Sequence, residues 1–152
     1  MIIRPIEQKD NLVLASIIRS VLTEHGVNRP GTVFTDPTTD QLFELFQKSN
    51  SAYFVIEVEG ELVGGCGIYP TQGLDPSCAE IVKLYLKADV RGLGFGRQLI
   101  EKCINEAAHL GYKSLYLESM PELNSALSLY KSLGFQMLDG PMGNSGHFSC
   151  DV

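Results

Sequence analysis

Arg91-Gly92-Leu93-Gly94-Phe95-Gly96 is the stretch on which the reading of the fold turns. Upstream, Cys78 to Lys87 alternates as a strand does, with Glu80, Val82, Leu84 and Leu86 expected on one face and Ile81, Lys83 and Tyr85 on the other. Downstream, from Gly96 to Leu110, Leu99, Ile100, Cys103, Ile104 and Ala107 recur at helical spacing, and Gly111 supplies a stop. The glycines therefore stand at a strand-to-helix junction. There the first N–H groups of a helix lack intrahelical acceptors and the helix dipole is positive, so an anion is favoured. Glycine also lets the main chain approach phosphate oxygens and take turns that side chains obstruct. A ligand-free turn needs glycine too, so the hexapeptide by itself leaves both readings open. Other phosphate motifs fit poorly: G-x-x-x-x-G-K-S/T is missing, and the spacing is G-x-G-x-G instead of G-x-G-x-x-G.

Around this unit the chain reads as one pass of alternating elements. Ile2 to Ile6 suggests a strand, and Lys9 to His25 a helix with Leu14, Ile17, Ile18, Val21 and Leu22 on its apolar face and Gly26 as its stop. Val27 to Pro37 reads as a loop, and Thr38 with Gln41 resembles a capping box before a short helix at Leu42 to Phe46. Ala52 to Val58 and Leu62 to Tyr69 are expected to be strands joined through Glu59-Gly60. Gly64, Gly65 and Gly67 interrupt the second, where a bulge or close strand packing is the commoner reason and ligand approach the rarer. Lys113 to Ser119 reads as a strand, Leu123 to Leu133 as a helix stopped by Gly134, Phe135 to Leu138 as a strand start, and His147 to Val152 as a last strand. The sum is a mixed α/β fold, one domain over residues 1–152, with a central mixed sheet of about six or seven strands and helices on both faces.

Composition narrows the function. The 152 residues, 44% hydrophobic and 20% charged, suit one globular core. No apolar stretch reaches the length of a membrane span, and Met1-Ile2-Ile3-Arg4-Pro5 lacks a secretory pattern, so a cytoplasmic protein with no membrane partner is expected. Cys66, Cys78, Cys103 and Cys150 are widely spaced, which predicts free thiols and no metal site. The 12 basic residues are scattered and the formal charge is −6, which speaks against nucleic acid. The same charge repels an anionic ligand on average, so any phosphates must be held by a local device.

The residues also carry a family resemblance. Arg91, Gly94 and Gly96 are similar to the R/Q-x-x-G-x-G/A signature of the GNAT N-acetyltransferases, and Asn124, Ala126, Tyr130, Gly134 and Phe135 resemble that family's following N-x-A-x-x-x-Y-x-x-x-G-F segment. The match is specific over about residues 78 to 138. It implies an acetyl-CoA donor with no metal, phosphates held by Arg91, Gly92, Leu93, Gly94, Phe95 and Gly96, backbone contacts to pantetheine from Leu84 and Leu86, and Asn124 helping to enclose the donor. It also implies that the donor's strand parts from the next after Leu86, near Ser119. The acceptor would be a small-molecule or peptide primary amine, and a homodimer is compatible with the resemblance.

Transfer of an acetyl group to an amine needs the amine to lose a proton, an oxyanion to be stabilised, and the leaving thiolate to be protonated. The resemblance puts the Tyr130 phenol near the thioester sulfur as the acid; packing in the core is its competing role. Glu80, a carboxylate on an otherwise apolar strand face, is the candidate base, because burial raises a carboxyl pKa. Glu118 binds the substrate ammonium, shares the base role, or is a strand-end surface charge, the last being the commoner case. Arg97 stands on the first turn of the phosphate helix, as a phosphate contact or an exposed charge. A CoA-binding regulatory module without turnover is the alternative function.

Overall fold

The computed structural model describes residues 1–118, 127–137 and 147–152. Its strands are β1 (Ile2–Pro5), β2 (Ala52–Val58), β3 (Glu61–Tyr69), β4 (Cys78–Leu86), β5 (Ser114–Glu118), β6 (Gln136–Met137) and β7 (His147–Asp151), with helices α1 (Asn11–Glu24), α2 (Leu42–Leu45), α3 (Phe95–His109) and α4 (Leu127–Ser132). One seven-stranded sheet runs in the order β1-β2-β3-β4-β5-β7-β6. Every neighbouring pair is antiparallel except β4 and β5, which the α3 crossover makes parallel. The mixed sheet expected from the pattern is thus present, with helices on both faces. Among the described residues no helix is long and apolar enough to cross a membrane.

Two apolar layers flank the sheet. On one side Leu99, Ile100 and Cys103 of α3 pack with Ile56, Cys66, Ile68, Ile81, Leu115 and Tyr130. On the other, Leu14, Ile18, Val21 and Leu22 of α1 pack with Leu42, Tyr53, Val55 and Tyr85. Leu14, Ile18, Leu99 and Ile100 are fully buried, each contributing roughly 1.5–3 kcal/mol on the transfer scale. The start of α1 is anchored through Arg4 on β1, whose guanidinium donates two hydrogen bonds to the buried Asp10 carboxylate at 2.8 and 2.9 Å. Glu59 and Gly60 take φ of +52° and +80°, the doubly left-handed turn that suits a two-residue hairpin.

The glycines of β3 serve packing. A Cβ on Gly65 or Gly67 would stand 2.5 or 2.6 Å from the buried Tyr53 ring, and one on Gly64 would run into the Tyr85 carbonyl. This close approach accommodates a bulge in β4, which corrects the uninterrupted alternation expected there. Tyr85 pairs with Gly65 and Val82 with Gly67, so three residues on β4 span two on β3. Lys83 takes the extra position with φ +55°. Before the bulge Glu80 and Val82 face the α1 side; beyond it Tyr85 takes that face, and Leu84 and Leu86 turn to the α3 side with Ile81. The buried Tyr53 hydroxyl donates to the Lys83 carbonyl at 2.8 Å and so secures the bulge.

Other expectations change in detail. The capping residue before the short helix is Asp36, whose Oδ1 accepts from the Thr38 N–H at 2.9 Å at the head of a 3-10 turn, Pro37–Asp40. The Thr38 hydroxyl is itself a donor to the same Asp36 oxygen, at 2.8 Å. β4 and β5 part earlier than Leu86: their pairing runs Cys78–Ser114, Ala79–Leu115, Glu80–Tyr116 and ends there. Ser119, Asn124 and Ala126 lie outside the described residues, as do the first residues of the expected Leu123–Leu133 helix.

Candidate functional site

Because β5 leaves after Glu80, β4 from Ile81 onward keeps β3 on one edge and, among the described residues, has no strand on the other. An open strand edge offers unpaired N–H and C=O groups to an extended ligand. A cleft of about 440 Å³ lies along this end of β4, lined by Leu84, Tyr85 and Leu86 and by Gly92, Gly94 and Gly96 at the head of α3. Gly92 and Gly94 have φ of +77° and +88°, a conformation that disfavours any side chain. Gly94 is the N-cap of α3, and the first intrahelical bond runs from the Gln98 N–H to the Gly94 carbonyl. The N–H groups of Gly94 to Arg97 therefore have no intrahelical acceptor. Glycine, open strand edge and helix terminus converge on one cleft suited to an elongated anion with a slender tail.

The walls are apolar and tightly matched. Leu86 and Leu129 meet over Gly96, where a Cβ would come within 3.4 and 3.5 Å of their methyl groups. Tyr130 of α4 lines the cleft while remaining buried, with its ring 6.4 Å from that of Phe135 in an edge-on arrangement. Burial pushes the Tyr85 phenol up to about 12, so its hydroxyl stays a proton donor at neutral pH. Val21 and His25, at the end of α1, close the opposite wall.

Arg91 lines the cleft with its guanidinium bound to protein groups. Its Nη1 and Nη2 donate to the two Glu24 oxygens at 2.7 and 2.9 Å, and its Nε and Nη2 to the Leu86 carbonyl at 3.2 and 3.0 Å. Arg97, also on the cleft wall, donates to Glu101 at 3.0 Å and to the Ser132 hydroxyl at 2.9 Å.

Glu80 stands on the last paired rung, between Tyr69 of β3 and Tyr116 of β5. Its surroundings are more polar than the alternation implied, because bulge and loop bring in polar groups. Thr71 donates a hydrogen bond to Glu80 Oε1 at 2.7 Å. Burial pushes the Glu80 carboxyl above its usual range; the Thr71 bond pulls it back, the Glu118 charge pushes it further up and Lys83 opposes. Burial in turn lowers the Lys83 ammonium, against the charges of Asp36 and Glu80. Glu118 is exposed and accepts from the Tyr116 hydroxyl at 2.9 Å.

The cleft thus gathers Leu84, Leu86, Arg91, Gly92, Gly94, Gly96 and Tyr130 from the sequence-derived set. Leu93 and Phe95 are not among its lining residues: Leu93 is 63% exposed, and Phe95 packs against the α3-side core. Glu80 and Glu118 are not among the cleft's lining residues; they lie where β4 and β5 diverge. Asn124 lies outside the described residues. Val21, His25 and Leu129 carry no local signal of site membership; only the packing of α1 and α4 brings them in.

A profile of the acetyltransferase (GNAT) family matches residues 18–135. Over 152 aligned residues the chain is 36% identical to the uncharacterized N-acetyltransferase YjgM of Escherichia coli (strain K12), covering 99% of this chain and 91% of that protein. Among solved structures, a GNAT-family acetyltransferase from Staphylococcus aureus Mu50 shares the fold with TM-score 0.84 at 18% identity, covering 99% of this chain and 98% of that one. The PaiA N-acetyltransferase of Thermoplasma acidophilum, solved in complex with coenzyme A, gives TM-score 0.77 at 16% identity over 99% and 98% of the two chains. The splayed β4–β5 pair, the glycine-capped α3 and the match along nearly the whole sequence lead to one conclusion: the chain belongs to the acetyltransferase (GNAT) family.

Proposed function

We propose that this protein transfers an acetyl group from acetyl-CoA to a primary amine of a small molecule or peptide, as a single domain working in the cytoplasm. The observation that carries the reading is the cleft in which the open edge of β4 runs into the Gly94-capped end of α3 beside Tyr130. It fits acetyl-CoA part by part. Main-chain N–H groups at the head of α3 suit the pyrophosphate, and need no net positive charge in a chain of charge −6. The edge at Leu84 and Leu86, free of a neighbouring strand among the described residues although Arg91 takes the Leu86 carbonyl, suits the amides of pantetheine. The four free thiols suit a reducing compartment.

In this reading the acceptor nitrogen attacks the thioester carbonyl carbon. A C–N bond forms, the C–S bond breaks, and the thiolate takes a proton from the Tyr130 hydroxyl. The amine proton passes to Glu80 through water, since Glu80 stands where β4 and β5 diverge and its raised pKa makes it a stronger base than an ordinary carboxylate. Glu118, next to Glu80 at the divergence, favours the approach of an ammonium.

Calorimetry with CoA, ATP and NAD, followed by mass spectrometry of amines incubated with acetyl-CoA, tests the reading. Tighter binding of CoA and an acetylated amine are expected; equal binding of ATP or NAD would overturn the donor assignment. CoA binding with no product across a broad amine panel would return the regulatory alternative.

A further inference from the structure

The expected phosphate ligand, Arg91, has its guanidinium engaged elsewhere. Four hydrogen bonds draw on four of its five N–H donors, two going to the Glu24 carboxylate and two to the Leu86 carbonyl. These partners belong to two elements that both border the cleft. Leu86 ends the open half of β4, Glu24 is the last residue of α1, and Val21 and His25, at that same helix end, line the cleft with Leu86. Arg91 is followed directly by Gly92, with which the left-handed turns of the loop begin.

We propose that Glu24 is a positioning residue for the donor, and that the Glu24–Arg91–Leu86 tie, not a phosphate contact from Arg91, is what the arginine contributes. The proposal rests on the acetyl-CoA reading. The carboxylate neutralises the guanidinium and fixes it in a planar, two-point pairing. That pairing holds the end of α1 against the end of β4, so the cleft keeps its width and the loop enters Gly92 from a set direction. Phosphates then meet main-chain N–H groups. An exposed ion pair is worth little to global stability, so removing it leaves the fold in place.

The tie predicts coupling. By calorimetry, Glu24→Ala and Arg91→Met each weaken CoA binding by about threefold to tenfold, and the double variant is no worse than the weaker single. The salt dependence of CoA affinity stays that of the wild type in Arg91→Met, because no charge contact to phosphate has been lost. Glu24→Gln, which retains one acceptor, falls between wild type and Glu24→Ala. Additive losses would overturn the proposal, as would a flattened salt dependence in Arg91→Met with Glu24→Ala binding as well as wild type, which makes Arg91 a phosphate ligand. Thermal melts confirm that each variant is folded. A folded wild type that binds no CoA would overturn both this proposal and the reading beneath it, whereas wild-type binding with additive variants overturns this one alone.

Discussion

From Cys78 to Glu80, β4 pairs with β5, and at Glu80 with β3 as well; from Leu84 to Leu86 it has β3 alone among the described residues. The first stretch is tied into the sheet through β5. The second lines a cleft and ends against the glycine turn. Between them stands Lys83 at φ +55°, with its carbonyl bound by the Tyr53 hydroxyl. A single extra residue thus changes which side chains face which core, and lies where strand interior gives way to binding edge. The base candidate Glu80 stays on the paired half, and the Leu84 and Leu86 contacts on the open one.

The harshest way to break this contrast is to deny β4 its close approach to β3. Gly64→Ala sets a Cβ against the Tyr85 backbone carbonyl, which cannot move as a side chain can. A cost at or above the ~3 kcal/mol upper end of overpacking is expected, read as a melting temperature lower by roughly 6–12 °C or as loss of soluble protein. A variant melting like the wild type would show that the two strands have slack.

Tyr130→Phe keeps the ring and its packing on Phe135 and removes only the hydroxyl. If that hydroxyl protonates the departing thiolate, kcat falls by about 10²-fold with CoA affinity little changed. The lower end of acid-catalysis effects is expected because a thiol of pKa near ~8.5 leaves partly unaided. Unchanged kcat, with chemistry shown to limit turnover, would make Tyr130 a packing residue.

Much of the open half was legible in the sequence, because its signals are local. Gly92, Gly94 and Gly96 mark the junction, and Leu99, Ile100 and Cys103 fix the helix behind it. Gly64, Gly65 and Gly67 signalled a bulge or close packing, but nothing about Lys83 announced that the extra residue lies there on β4; its placement is tertiary, set by the Tyr53 hydroxyl and the side-chain-free surface of those glycines. The family motif drew Arg91 toward phosphate, while Glu24, 67 positions away in sequence, holds it. Glu80 was recognised as a carboxylate in a strand, but Thr71 beside it lies in a loop that carries no periodic signal.

Tyr53→Phe sharpens the contrast at its hinge. It leaves the half-buried Lys83 carbonyl without its donor, so about 1 kcal/mol of stability is lost. CoA binding weakens along with it if the bulge presents the open edge, and a loss of stability with donor affinity intact would separate bulge from site.

Thr71→Val gives the smallest effect. Deleting the hydrogen bond that holds the Glu80 carboxyl down lets its pKa rise further. Glu80 serves as base only when ionised, so the acidic limb of the pH–rate profile moves to higher pH, and Glu80→Gln abolishes it. The stability sign runs the other way. A folded-state pKa raised above the ordinary 4.5 means that the folded protein binds the proton more tightly, so stability falls as pH rises from 4.5 through the raised value. Glu80→Gln therefore melts above the wild type at neutral pH, and that gap closes in acid. A limb that stays in place in both variants would remove Glu80 from the chemistry.

Amide hydrogen exchange, followed residue by residue by NMR with and without CoA, tests the division of β4 most directly. Slowed exchange is expected at amides in the Leu84–Leu86 stretch and in Gly94 to Arg97, with Cys78 to Glu80 unchanged because they pair with β5 and do not line the cleft. Uniform protection along β4, or protection that spares both the open edge and the head of α3, would contradict it.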